Sequence, residues 1–229
     1  MMFFAKNKAE RRCDKGLLPE TVCRYVRAHE HPLAKRTLLR AVRFVVFDTE
    51  TTGLDVKKDK IISIGAVAIS DFAIQVADSF ETLIRQEASG DKESIPVHGI
   101  LKKDLAMAAT EQGALESFLS YIAGSVLVAH HAMFDIEILN QALGRFFDLK
   151  IFNAVIDTAD FAKRIEKGPF SSQDTKAGDY SLDKLCERYR IPIYDRHTAP
   201  GDAFITAQLF QILLYHAEKK RILTLGEIL

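Results

Sequence analysis

Four carboxylates and one imidazole stand where packing alone gives them no reason to be. Asp48 and Glu50 close the apolar run Phe44-Val45-Val46-Phe47, Asp135 follows Phe134 in Val-Ala-His-His-Ala-Met-Phe-Asp, and His197 precedes Asp202 in His-Thr-Ala-Pro-Gly-Asp. Charged groups enter apolar surroundings when they are paired or bind a cation, so carboxylates at the ends of hydrophobic runs point to a cation site. Oxygen-only donors select hard ions such as Mg²⁺ or Mn²⁺. Two such ions about 4 Å apart clamp the attacking and leaving oxygens of an in-line displacement at phosphorus, which is chemistry that hydrolyses phosphodiesters.

Each of these groups needs an element to aim it. Residues i and i+2 of a strand share a face, so Asp48 and Glu50 project together where a first strand, read over Val42 to Phe47, gives way to Gly53. Two carboxylates side by side repel unless a cation lies between them. Further strands are expected over Ile61 to Ile69 with Gly65 inside, within Phe72 to Arg85, over Ser125 to Ala129 and over Val155 to Asp157. Helical periodicity covers Glu111 to Ala123, Phe134 to Phe146, Thr158 to Ile165, Ser181 to Tyr189 with Ser181 as N-cap, and Gly201 to Ala217. Short links between the first three strands favour antiparallel pairing, and the later alternation of strand and helix implies a mixed five-stranded sheet flanked by helices, an α/β fold. Glu166 to Tyr180 is polar, carries Gly168, Pro169 and Gly178, and is expected to be a mobile loop. His197 titrates near neutrality and is the natural general base. For Arg196 before it, two readings stand open, a phosphate ligand or an exposed side chain.

The pattern Asp-x-Glu on a strand, Phe-Asp on a helix and His-x-x-x-x-Asp opening a late helix resembles the three exonuclease motifs of the DEDD superfamily, with the histidine of its DEDDh branch. That branch includes the proofreading epsilon subunit and the exonuclease domain of bacterial replicative DNA polymerases. The motifs fall between Phe44 and Leu214, about three quarters of the chain. The resemblance implies a ribonuclease-H-like fold and 3′→5′ exonuclease activity. It also implies two bound Mg²⁺ or Mn²⁺ ions held by Asp48, Glu50, Asp135 and Asp202, with His197 as base. Thr49, Thr51, Thr52, Gly53 and Leu54 are then expected to grip the 3′-terminal nucleotide, with His98 and Phe134 as further substrate contacts. Three departures from the family pattern bear on substrate preference: Ser63 where relatives usually carry Glu or Gln, His131 where Asn usually follows His130, and Glu137 in place of a small residue.

Composition frames this chemistry. With 229 residues and 48% hydrophobic content the chain can bury a full core. Its formal charge of zero divides unevenly: residues 1–43 hold 11 Lys/Arg against 4 Asp/Glu, leaving 20 against 27 in the remainder. Residues 1–42 read as a basic helical extension in which Pro19 opens a helix, Val22, Tyr25, Val26 and His29 recur at helical spacing, and Pro32 interrupts before Leu33 to Arg40. Residues 43–220 form the exonuclease unit and 221–229 a short tail. The extension is a candidate for docking a polymerase or for contacting nucleic acid, with single-stranded or frayed DNA 3′ ends as the favoured substrate and RNA as the alternative. Cys13, Cys23 and Cys186 lie in no metal-ligand spacing and are expected as free thiols in a cytoplasmic protein, with no membrane span.

Two other classes compete. Asp48-x-Glu50-x-Thr52 after an apolar strand loosely resembles the start of haloacid-dehalogenase-like phosphotransferases, but that reading leaves Phe134-Asp135 and His197 unexplained. An inactive nucleic-acid-binding domain has no use for all five motif residues. Exoribonuclease trimming of RNA 3′ ends remains the alternative within the nuclease class.

Overall fold

In a computed structural model of the chain, residues 2–86, 107–168 and 178–229 are described. Among them, five strands form one sheet in the order β3-β2-β1-β4-β5: β1 Phe44–Thr51, β2 Ile61–Ser70, β3 Ala73–Leu83, β4 Val126–Ala129 and β5 Val155–Asp157. β1 pairs antiparallel with β2 and β2 with β3, while β4 and β5 run parallel to β1. The helices are α1 Met2–Asp14, α2 Glu20–Ala28, α3 Glu111–Ile122, α4 Met133–Phe147, α5 Thr158–Lys167, α6 Leu182–Tyr189 and α7 Ala199–Lys219. The expected mixed sheet with flanking helices is what forms.

Strand alternation divides the core in two. Val45 and Phe47 face a layer built from α2, α3 and α4, where Leu115, Phe118, Leu139 and Leu143 are buried. Phe44 and Val46 face α5, α6 and α7, against Phe161, Leu185, Phe210 and Leu213. β1 runs four residues further than its apolar stretch because the pattern continues through polar residues: Thr49 and Thr51 are buried, while Asp48 and Glu50 point to the α7 side. A register irregularity after Glu50 ends the regular pairing with β2. Because β1, β4 and β5 are parallel, their carboxyl ends lie on one side, the place where open α/β sheets bind ligands.

The amino-terminal extension is bound to the body. The expected helical stripe is the buried face of α2, with Val22, Tyr25 and Val26 fully enclosed. The Tyr25 hydroxyl donates to Asn153 Oδ1 at 2.8 Å and accepts from the Phe152 amide at 2.7 Å, and Asn153 in turn donates to the Ile122 and Ser125 carbonyls. This stripe is therefore part of the core and not a free docking surface. Tyr25→Ala is expected to lower stability by about 3–5 kcal/mol, the usual cost of deleting a buried aromatic side chain, measurable by chemical denaturation.

Two expectations need correction. Leu33 to Arg40 forms no α-helix; it ends in a single 3₁₀ turn, Leu39–Ala41. Its backbone is instead paired with the carboxyl tail, through Leu39 N–H to the Leu223 carbonyl and Leu225 N–H to the Thr37 carbonyl, both at 2.9 Å. Cys13 and Cys23 are not free thiols but form a disulfide across the turn between α1 and α2, leaving Cys186 free and buried. Their ten-residue separation spans Gly16-Leu17-Leu18-Pro19, a chain reversal that brings the two Cα atoms within 5.6 Å. Most of the expected mobile loop over Glu166 to Tyr180 lies outside the described residues; at its ends the Tyr180 hydroxyl donates to Glu166 at 2.7 Å.

Candidate active site

Asp48, Glu50 and Asp202 converge, with one oxygen of each within 4.8 Å of the others. Two local features make this possible. The pairing of β1 with β2 sets Asp48 opposite Gly65 and Glu50 opposite Ser63. At Gly65 the start of α7 presses directly on the sheet: a side-chain carbon there would lie 2.2 Å from the Pro200 nitrogen and 2.5 Å from the Ala199 carbonyl oxygen. Only glycine admits this approach, which carries Asp202, in the first turn of α7, onto the carboxylates of β1. Gly65→Ala is expected to push the start of α7 away, costing about 1–3 kcal/mol of stability. It should cost more in rate, about 10²-fold for a displacement near 1 Å, as paired melting and turnover measurements would show.

Asp135 reaches the site from the opposite face of β1. It lies in the first turn of α4, is 6% exposed, and its Oδ1 accepts from the Thr49 hydroxyl at 2.6 Å and the Thr49 amide at 3.1 Å. Asp157 at the end of β5 fixes the entry to α4, accepting the Ala132 amide at 2.9 Å while also capping α5. Asp135 stands apart from the trio of closest oxygens, and the side chain of Thr49, expected to touch substrate, is buried against it. Strand alternation turns Thr49 away from Asp48 and Glu50.

The electrostatics show what the site lacks. Burial, and then the neighbouring carboxylates Asp135, Asp202 and Glu50, hold Asp48 well above the ordinary aspartate range. Burial with Asp202 and Asp135 lifts Glu50 from 4.5 to about 7. Burial lifts Asp135 to about 6 against the hydrogen bonds of Thr49, and burial also raises Asp202 against the opposing charges of Arg196 and His197. Asp202 Oδ1 is buried with no hydrogen-bond partner. An orphaned carboxylate oxygen beside two further carboxylates is an all-oxygen donor set that fits a hard divalent cation.

A pH dependence follows. A carboxyl group with a raised pKa makes the folded state bind more protons than the unfolded one, so without metal the contribution of such a group to stability is fully present at low pH and falls as pH rises from about 4.5 through about 7. Melting temperatures in chelator between pH 5 and 8 should therefore decline, and divalent cation should flatten the decline by replacing the protons.

The remaining expected residues distribute as follows. His197 is exposed, left-handed at φ 63°, on the turn leading into α7. The Thr51 hydroxyl donates to the Gly53 carbonyl at 2.7 Å, which leaves it an acceptor towards a substrate hydroxyl. The Thr52 hydroxyl donates to Asp59 at 2.8 Å and accepts the Lys60 amide at 3.1 Å, which closes the 52–60 loop. Gly53 makes room for that Asp59 carboxylate, since a side-chain carbon would lie 2.6 Å from its Oδ2. Leu54 is 86% exposed, which excludes a core role for it, and Phe134 is half-buried against the α4 layer. His98 lies outside the described residues. His131 is left-handed at φ 56°, a conformation in which asparagine, aspartate and histidine are all enriched. Ser63 is buried directly across from Glu50.

Sequence reasoning missed Arg196 as the partner of Asp202 and Asp183, and Asp59 as the clamp of the 52–60 loop. A third omission is a cleft of about 380 Å³ beside the His197 turn, lined in part by Tyr194, Pro200 and Phe204. The exposed apolar pair Tyr194 and Phe204 flanking the motif was the available signal for the cleft.

Sheet order, crossovers and converging carboxylates together define a ribonuclease-H-like nuclease. The family model described as Exonuclease (RNase T) matches residues 45–210, and the chain belongs to that exonuclease family. It is 35% identical over 185 residues to a DNA polymerase III PolC-type protein of Thermotoga petrophila, covering 81% of this chain and 13% of that protein. It is 32% identical over 181 residues to the DNA polymerase III subunit epsilon of Buchnera aphidicola, covering 75% of this chain and 72% of that one. The chain thus spans a small part of the PolC-type relatives and most of the epsilon subunit. Its fold is similar to that of E. coli Exonuclease I in complex with a dT13 oligonucleotide, with a TM-score of 0.66 and 15% identity over 79% of this chain and 43% of that one. Exonuclease X in complex with 5′ overhanging duplex DNA gives a TM-score of 0.59 and 22% identity over 77% and 93%.

Proposed function

We propose that the chain is a metal-dependent 3′→5′ exonuclease of the cytoplasm that releases nucleoside monophosphates from DNA 3′ ends, in proofreading or repair. The convergence of Asp48, Glu50 and Asp202 within 4.8 Å, with Asp202 Oδ1 left unpaired, carries this reading. Asp48, Glu50 and Asp202 would hold one divalent cation and Asp135 would help to hold a second. Bound there, Mg²⁺ or Mn²⁺ supplies an acidified water and neutralises charge developing on the phosphate. His197, exposed at the mouth, takes the proton from the attacking water. Leu54 offers an exposed apolar contact for the terminal base, Gly53 lets the chain approach the terminal sugar, and the Thr51 hydroxyl accepts from the 3′-OH. Phe134 supports the same nucleotide from α4.

The epsilon and PolC-type relatives support DNA as substrate and a polymerase as partner. Because the apolar stripe of α2 is buried, such docking would use the basic outer surface of residues 1–42. Among the described residues no helix is long and apolar enough to cross a membrane. Matched 3′-labelled DNA and RNA oligonucleotides, single-stranded, paired and mismatched, test the substrate directly. Faster release from single-stranded and mismatched DNA is expected, and faster release from RNA would replace this reading with 3′-end trimming of RNA.

A further inference from the structure

Of the positive neighbours of the cation-seeking trio, Arg196 donates a side-chain hydrogen bond into it. Arg196 Nη1 donates to Asp202 Oδ2 at 2.5 Å, and its Nε donates to Asp183 Oδ1, on α6, at 2.9 Å. The turn that carries it is fastened at both sides: Thr198 Oγ1 donates to the Asp195 carbonyl at 2.7 Å and accepts the Gly201 amide at 3.1 Å. Arg196 thereby meets Asp202 from the loop side, while Asp202 Oδ1 faces no partner. We propose that Arg196 is an internal counter-ion that seats on Asp202 in the metal-free enzyme and yields it when a divalent cation enters. This rests on the metal reading of the site given above.

The contact is suited to exchange. An arginine gives its strongest pairing as a bidentate fork on one carboxylate, yet Arg196 divides its donors between two, with a single contact to Asp202. A divalent ion carries twice its charge and can touch oxygens of all three carboxylates. Once displaced, the guanidinium is retained by Asp183, which is 62% exposed and outside the trio.

A permanent structural ion pair would stabilise the protein equally with and without metal, whereas a displaced one stabilises only the metal-free form. Linkage then requires that its removal tighten metal binding. The test compares the full chain with its Arg196→Met variant in Mg²⁺ or Mn²⁺ alone, without substrate. In chelator the variant is expected to melt roughly 3–5 °C lower, and at saturating Mg²⁺ the difference should vanish. Calorimetric titration should show Mn²⁺ binding tightened about tenfold, or about 1.4 kcal/mol. In the parent, the ¹⁵N-arginine Nε–H signal of Arg196 should move during Mg²⁺ titration with the midpoint seen by calorimetry, a measurement independent of how the variant folds. An equal melting deficit in both conditions, metal affinity within twofold of the parent, or an unmoved Arg196 signal would each overturn the counter-ion role while leaving the metal reading standing. Failure of the parent itself to bind either ion would overturn both.

Discussion

Alanine at Asp48 is expected to lower hydrolysis by at least about 10³-fold while the protein remains folded. The loss is set by transition-state charge: metal stabilisation of a developing phosphorane is worth several kcal/mol, and each 1.36 kcal/mol is a factor of ten in rate. Asp48 is the residue most enclosed by other carboxylates, with Asp135, Asp202 and Glu50 all raising its pKa. Removing it should abolish cation binding and, without metal, relieve repulsion, so the variant should melt at or above the parent in chelator. A folded Asp48→Ala protein that kept a tenth or more of parental activity would remove this carboxylate from the reaction.

His197→Ala should behave differently. General-base assistance is typically worth about 10² to 10⁴ in rate, so turnover should fall by that range with cation affinity retained. His197 is exposed and outside the trio of oxygens, which is why metal binding should survive its loss. Hydroxide can replace the missing base, so activity should partly return as pH rises. Parental rates for the variant from pH 6 to 9 would assign the proton transfer to another group.

The core of the site was legible because its chemistry contradicts its surroundings: Asp48, Asp135 and Asp202 are acidic residues at the ends of apolar segments, and such placement has few physical causes. The sheet was legible for a related reason, since Val42 to Phe47 and Ile61 to Ile69 are β-branched runs that can only be buried. The burial of Thr49 within β1 was not, because it is set by Asp135, which lies elsewhere in the fold. Gly65 stood in plain view inside an apolar strand, but its purpose depends on Pro200, 135 residues later, pressing against it. The pairing of Cys13 with Cys23 and the packing of α2 likewise depend on a chain reversal and a distant face, information that local periodicity does not contain.

The most direct test of the central claim is the product ladder from a 5′-labelled single-stranded DNA oligonucleotide incubated with the full chain in Mg²⁺ and, in parallel, in chelator. A ladder shortening one nucleotide at a time from the 3′ end, with nucleoside monophosphate released and none of it formed in chelator, is the predicted result. Internal cuts, removal of the 5′ label as the first product, or equal digestion in chelator would contradict it.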